Sequence, residues 1–352
     1  MKKAIIAMSG GVDSSVAAYF MKKEGYDCIG ATMKLYDNEN IGISSEKTCC
    51  SLSDIEDARS VARRLDMPYY VFNFKDEFEE KVIKKFIKTY EAGATPNPCI
   101  DCNRYLKFEK LMQRMYELGF NCVVTGHYAD IEEKNGRYYL KKGKDLSKDQ
   151  SYVLYSLTQE QLSHTVFPLG RYSKEEIRSI AEEQGFLNAR KHDSQDICFV
   201  PDGNYAAFIE NHLGKKYPQG DFVDLNGNVL GRHKGIIKYT IGQRKGLNIA
   251  IGKPVYVLKK DIEKNQVVLG SNDELFSRRL EAEDFNWIYE KPQGIISCSA
   301  KTRYNMKEQP CSVWIEGNRV VVEFDSPQRA ITSGQAVVLY DGDYVIGGGT
   351  II

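Results

Sequence analysis

The chain has 352 residues, and 48 lysines and arginines balance 48 aspartates and glutamates, so its formal net charge is zero. That length suits two or three domains that each bury a core unaided, and charge neutrality excludes a surface that coats nucleic acid everywhere while permitting a local basic track. No apolar run approaches the roughly 18 residues of a membrane span, and the stretch after Met1-Lys2-Lys3 is too short for a signal peptide, so the expected location is cytoplasmic with no membrane partner.

In chain order, residues 3–8 are apolar without alternation and predict a strand covered on both faces, followed by a helix over 16–23 that Gly25 stops. Strands are predicted at 27–33, 69–74 and 122–125. Helices are predicted at 53–65, behind the capping box Ser53-Asp54-Ile55-Glu56, and at 76–90 and 106–118. The alternation of strand and helix predicts an α/β fold, a doubly wound parallel sheet with helices on both faces. Asn135-Gly136 marks a hairpin, and helices with capping-box starts return at 158–162 and 173–184. Beyond Cys198 turn residues multiply. A small mixed unit is expected at 201–270 and an antiparallel β-barrel at 271–352, leaving 1–200 for the parallel-sheet domain.

Ser9-Gly10-Gly11-Val12-Asp13-Ser14-Ser15 joins the first strand to the first helix, where such a sheet binds ligands. Two glycines let successive N–H groups converge and the helix start adds positive potential, an anion nest for phosphates; Asp13 could hold Mg²⁺ or cap the helix. The loop matches neither of the common glycine-rich nucleotide fingerprints. It resembles the pyrophosphate-binding loop of the N-type ATP pyrophosphatases, which activate a substrate oxygen by adenylation.

Nine cysteines is an odd count in a chain too long to need disulfides, which fits a reducing compartment with a few chemically active thiols. Thr95-Pro96-Asn97-Pro98-Cys99-Ile100-Asp101-Cys102-Asn103-Arg104 predicts a proline-fixed loop that carries a C-x-x-C pair just before a helix, with Arg104 and Lys107 near enough to favour thiolate. Cys49-Cys50 are adjacent rather than spaced as a second C-x-x-C, which argues against structural zinc. Cys198 stands in Asp193-Ser194-Gln195-Asp196-Ile197-Cys198-Phe199; by itself it reads as a buried small hydrophobe sooner than as a nucleophile.

Taken with Thr125-Gly126-His127-Tyr128, Lys148-Asp149-Gln150-Ser151-Tyr152 and Tyr239-Thr240-Ile241-Gly242-Gln243-Arg244, these motifs follow the order found in the tRNA-specific 2-thiouridylase (MnmA) family, and the resemblance spans essentially the whole chain. It implies an enzyme that uses ATP and Mg²⁺ to adenylate the C2 oxygen of the wobble uridine, position 34, of tRNAs for Lys, Glu and Gln. A cysteine persulfide then replaces that oxygen with sulfur, supplied upstream by a cysteine desulfurase or sulfur carrier. It further implies that Ala7, Met8, Ser9, Gly10, Gly11, Val12, Asp13, Ser14, Met33 and Gly126 line the ATP site. Asn97, Pro98 and Cys99 would face the target base, His127 would contact the substrate, and Lys148, Asp149, Gln150, Arg303, Tyr304 and Gln335 would touch tRNA. Cys198 would carry the persulfide and Cys102 would be its partner, either resolving the sulfur once it is on the base or freeing it first as hydrosulfide, the two ending as a disulfide. Some relatives have aspartate where this chain has Cys99. Three thiols, Cys99, Cys102 and Cys198, are therefore also expected as ligands of an alternative [4Fe-4S] cluster. A different ATP-dependent ligase, or a binding module without chemistry, would have no use for paired thiols.

Residues 232–260 carry eight lysines and arginines and no acid, with His233 and Tyr239 interleaved, which predicts a phosphate-contacting face for tRNA.

Overall fold

The computed structural model describes residues 2–36, 52–191, 197–249 and 251–352. Strands Lys3–Ala7 (β1), Asp27–Lys34 (β2), Tyr69–Asn73 (β3) and Cys122–Val124 (β4) are followed by a hairpin, Ala129–Lys134 (β5) and Arg137–Lys142 (β6), and by Thr165–Val166 (β7). Strands β1 to β4 and β7 form a parallel sheet in the order β3-β2-β1-β4-β7. Because β2 lies on one side of β1 and β4 on the other, the order reverses at the carboxyl end of β1, the switch point where doubly wound sheets take ligands. The central strand is fully covered, with Ala4, Ile5 and Ile6 at 0% exposure, which explains its unbroken apolar run.

Helical boundaries moved in two instructive places. The first helix, Val12–Lys23, begins four residues earlier than its apolar spacing suggests. The poor helix formers there are stabilised locally, since the hydroxyls of Ser14 and Ser15 both donate to the Gly11 carbonyl at 3.0 Å. The second concerns the C-x-x-C stretch, which is helical rather than a loop: Pro98–Asp101 runs through wider π-type turns at Cys102–Lys110 into Leu111–Glu117. Pro98 takes the first helical position, where its missing N–H costs nothing, and the Asn97 side chain caps the end by accepting from Cys99 N–H at 3.2 Å. Both later capping boxes, at Thr158 and Ser173, are present.

Strands Gly220–Val223 (β8), Val229–His233 (β9), Tyr256–Asp261 (β10) and Gln266–Gly270 (β11) make a four-stranded mixed sheet in the order β10-β11-β8-β9. Its inner residues Phe222, Val257, Val267 and Leu269 belong to one apolar cluster with Ile5, Phe78 and Phe86, so the central unit has no separate core. His233 (0% exposed) and Tyr239 (5%) form an aromatic group with Phe222 and cannot meet phosphate. Lys260 is buried too, Arg232 pairs with Asp221 and Lys238 with Glu210. The basic face expected from spacing is thereby reduced to Lys234, Arg244, Lys245, Lys253 and Lys259, all exposed.

Strands Phe276–Trp287 (β12), Ile296–Lys301 (β13), Gln309–Glu316 (β14), Arg319–Arg329 (β15), Ala336–Asp341 (β16) and Tyr344–Ile351 (β17) close into an antiparallel six-stranded barrel through the pairing of β12 with β17. The hairpin of the first domain joins this sheet, with Lys141 of β6 registered opposite Tyr344 of β17. Lys134 Nζ donates to the Tyr344 hydroxyl at 2.7 Å, the hydroxyl donates to Glu132 at 2.6 Å, and the Arg137 guanidinium donates to the Ile288 carbonyl.

Candidate active site

Two close approaches build the phosphate loop at the end of β1. Gly10 has φ +75°, and a Cβ there would lie 2.3 Å from the Asp54 carbonyl oxygen. Gly126, just past β4, sits against the backbone of Asp13 and Ser14, where a Cβ would come within 2.8 Å of each; only glycine lets the two segments meet. Around them Ser9 N–H donates to Ser14 Oγ at 3.3 Å, and Thr32 Oγ1 donates to the Met8 carbonyl at 2.6 Å. The helix has no side-chain cap. Asp13 instead accepts from Tyr128 and Lys174, so the capping role expected for it is not what the structure shows.

Behind the loop stand residues that sequence reading missed. Asn188 Nδ2 donates to the Gly10 carbonyl and to Ser15 Oγ, each at 2.9 Å. Lys191 Nζ reaches Asp54 at 2.5 Å, Asp57 at 2.7 Å and the Gly10 carbonyl at 3.4 Å. These partners lie more than a hundred residues from the loop in sequence, and no spacing rule connects them. The adjoining expectations at Cys49, Cys50 and residues 192–196 lie outside the described residues.

Cys102 and Cys198, both half-buried thiols, pack on the same apolar cluster as Ala7 and Met33. The fold thus gathers onto one cluster two residues expected at the nucleotide and the two expected for sulfur transfer. Cys198 is anchored by its neighbour: Phe199 is 1% exposed and meets Phe78, Phe86 and Phe208 edge-on or tilted at 5.2–5.6 Å, while Tyr36 OH donates to the Cys198 carbonyl at 3.0 Å. The aromatic residue takes the burial and leaves the thiol partly accessible. The cations expected to favour thiolate are engaged elsewhere. Arg104 forms a two-pronged pair with Asp284 of the barrel, and Lys107 lies 3.4 Å from His127 Nε2.

Asn97 is half-buried, Pro98 buried and Cys99 exposed, and the barrel reaches them through the turn before β16. Thr95 N–H donates to the Ser333 carbonyl at 2.8 Å, and Gln335 Nε2 donates to the carbonyls of Thr95 (2.8 Å) and Pro96 (3.3 Å). Lys85 pairs with Asp101 at 2.6 Å, and the Asp101 carboxyl is raised above its ordinary range, chiefly by burial. Tyr304 lies 6.0 Å edge-on from Tyr152, and its hydroxyl is pushed up to about 12, first by burial and then by the nearby Asp149 and Cys99 charges. Residues from 99, 149 and 304 are in this way brought to one neighbourhood.

Other expected tRNA contacts have internal duties. Asp149, 7% exposed, accepts from Gly143 N–H, Ser151 N–H and Ser151 Oγ, and burial raises its carboxyl. Gln150 Oε1 accepts from Tyr128 N–H at 3.0 Å, and Arg303 donates to the Ala330 carbonyl and Thr332. Lys148 is half-buried. His127, also 7% exposed, lies 2.6 Å from Thr125 Oγ1 through Nδ1. An ammonium can only donate, so with Lys107 facing it Nε2 accepts, Nδ1 carries the proton and the ring is neutral. Burial, with Lys107 adding to it, pushes its pKa well below the usual histidine value.

The described residues contain no group of three cysteine, histidine or carboxylate side chains arranged to hold a metal ion, so the structure lends no support to the iron–sulfur alternative at Cys99, Cys102 and Cys198. Mg²⁺ is commonly held by one or two carboxylates plus substrate phosphates, and Asp13 is the loop carboxylate that would serve. Among the described residues no helix is long and apolar enough to cross a membrane.

A parallel sheet with a glycine loop at its switch point is the arrangement with which doubly wound α/β proteins take ligands. Three family models match in succession: the tRNA methyl transferase HUP domain over residues 2–202, the tRNA methyl transferase PRC-barrel domain over 206–271 and the aminomethyltransferase beta-barrel domain over 277–351. The chain is 53% identical over 356 residues to the tRNA-specific 2-thiouridylase MnmA of Lachnoclostridium phytofermentans, covering 100% of both. It is 50% identical to that of Clostridioides difficile, covering 99% of this chain and 98% of the relative, and 51% identical to that of Clostridium acetobutylicum, covering 99% of each. The chain belongs to the tRNA-specific 2-thiouridylase (MnmA) family.

Proposed function

We propose that this chain is an ATP-dependent tRNA uridine 2-sulfurtransferase acting on the wobble position, with residues 1–200 as the catalytic domain, 201–270 as a central tRNA-binding domain and 271–352 as the barrel. The observation that carries the reading is the shared apolar cluster on which Cys102 and Cys198 lie with Met33 and with Ala7, the last residue of β1. Methyl transfer, the reaction in the family models' names, needs neither such a loop nor two thiols.

The chemistry follows from leaving-group ability. A carbonyl oxygen is expelled poorly, so C2–O of the uridine first attacks the α-phosphorus of ATP and pyrophosphate departs into the loop, whose N–H groups and helix start hold its charge. Asp13 would hold the Mg²⁺ that accompanies the phosphates and neutralises part of their charge. The outer sulfur of a Cys198 persulfide then attacks C2 and AMP leaves. Cys102 thiolate next attacks the Cys198 sulfur, which breaks the S–S bond to the base, releases 2-thiouridine and leaves a Cys102–Cys198 disulfide for a thiol reductant to reopen. Asn97, Pro98 and Cys99 would face the flipped base, while Lys148, Tyr304 and the exposed lysines near 234–259 would meet tRNA.

The test is to incubate the protein with ATP, Mg²⁺, a persulfide donor and tRNA for Lys, Glu or Gln, then weigh the nucleosides. A sulfur-for-oxygen mass shift at position 34 is expected. An unchanged mass with every component present would overturn the proposal, and activity that survives loss of both thiols would point instead to another ATP-dependent ligase.

A further inference from the structure

One lysine without a role in the chemistry above enters the phosphate loop from behind. Lys174 opens the helix Lys174–Glu183 and is 5% exposed, and its ammonium lies 2.8 Å from each carboxylate oxygen of Asp13. Tyr128 OH donates to the same Asp13 Oδ1 at 2.7 Å, and its ring lies 5.6 Å from the ammonium. The lysine is fixed in turn. The Ser173–Glu176 capping box orders the helix start, and Lys174 N–H donates to Asp145 Oδ2 at 3.1 Å.

The pair is asymmetric, because the lysine side chain is 7% exposed and that of Asp13 is 30% exposed. The cation is therefore behind and the carboxylate in front, in the first turn of the helix whose N–H groups make the anion nest. A bare carboxylate there would repel phosphate at close range. Charge compensation from the buried side solves this, because the ammonium engages both carboxylate oxygens at once and so fixes their orientation.

We propose that Lys174 is a positioning residue of the nucleotide site: it neutralises Asp13 from behind, so that the loop accepts phosphate, and fixes the orientation of the Asp13 carboxylate. This rests on the ATP-binding reading of the loop. The role is electrostatic and runs through Asp13, so it can be separated from a direct contact with nucleotide.

The experiment is calorimetric titration with ATP and with inorganic pyrophosphate, in EDTA, of the full chain and of Lys174→Met, Lys174→Arg, Asp13→Asn and the double variant Asp13→Asn/Lys174→Met, with the Tm of each. Lys174→Met is expected to bind both probes about tenfold or more weakly, since one like charge is left facing the phosphates. Lys174→Arg should recover most of the loss, and the double variant, which removes both charges, should return to within about threefold of the parent. Unchanged affinity in Lys174→Met would overturn the proposal, as would a double variant no better than the single one, which would mean that Lys174 meets phosphate itself. If Lys174→Met does not fold, the double variant and Lys174→Arg still decide it: weak binding by the double variant overturns the proposal and near-parental binding supports it. Failure of the unmodified chain to bind either probe would overturn the ATP reading itself, and this proposal with it.

Discussion

Gln335 of the barrel donates its side-chain amide to the Thr95 carbonyl at 2.8 Å, across 240 residues of sequence, and so ties the barrel to the segment that leads into Asn97, Pro98 and Cys99. Family resemblance assigns Gln335 to tRNA, but its amide is spent on the loop. Gln335→Ala should lower the turnover of thiolation about five- to tenfold, the equivalent of roughly one net hydrogen bond, with ATP affinity and the KM for tRNA near parental. Steady-state kinetics with tRNA varied checks this; a rise in KM alone would restore the direct contact.

Sulfur transfer should fail completely in either Cys102→Ser or Cys198→Ser while ATP binding persists, because neither thiol belongs to the loop and both pack on an apolar cluster. Nucleoside mass analysis and ATP titration check the two halves. The variants should also differ: Cys102→Ser retains the ability to load sulfur on Cys198, which intact-protein mass spectrometry would show as an added sulfur atom.

Buried His127 makes stability depend on pH in one direction. Its folded-state pKa is well below the usual 6.5, so below about pH 6.5 the unfolded chain binds a proton that the folded chain refuses, and stability falls as pH drops. The slope from this one group approaches roughly 1.4 kcal/mol per pH unit. His127→Gln should flatten the acid side of the profile between about pH 6.5 and 5, where the parent falls; Tm measured across that range checks it.

Lys260 is a second buried base with the same sign of pH dependence, in a more alkaline window. It is 8% exposed, its ammonium has no hydrogen-bond partner among the described residues, and the nearby Tyr90 ring is 5.9 Å away. Burial pushes its pKa down to about 8, so the folded chain carries a penalty for the charge that is largest below pH 8 and disappears above the unfolded value near 10.4. Lys260→Met should therefore raise Tm at pH 7, by roughly 2–4 °C for each kcal/mol relieved, and lose that advantage by about pH 10.5. Scanning calorimetry at the two pH values measures it.

The parallel sheet was legible because its signals are local: apolar runs in β1 and β4, capping boxes at Thr158 and Ser173, and Asn135-Gly136 at the hairpin. The glycine loop was legible for the same reason. What escaped depended on contacts between distant segments. Lys174 and Lys191 look like ordinary helix and loop lysines until the fold sets them against Asp13, Asp54 and Asp57. The basic stretch misled in the opposite way, since spacing along a sheet with tight turns does not reveal that His233 and Tyr239 point inward. The C-x-x-C segment reads as a loop in sequence because its two prolines interrupt a helix, and the Asn97 cap that lets Pro98 start one is a side-chain detail.

The hairpin formed by β5 and β6 has one further consequence. By completing a sheet that otherwise belongs to the carboxyl-terminal barrel, it makes the barrel's boundary in space different from its boundary in sequence. A chimera that joins the catalytic half of this chain to a relative's barrel inherits a mismatched seam at Glu132, Lys141 and Tyr344 unless the hairpin travels with the barrel it lines. Residues 129–142 and the barrel should accordingly be exchanged between relatives as a single inherited unit.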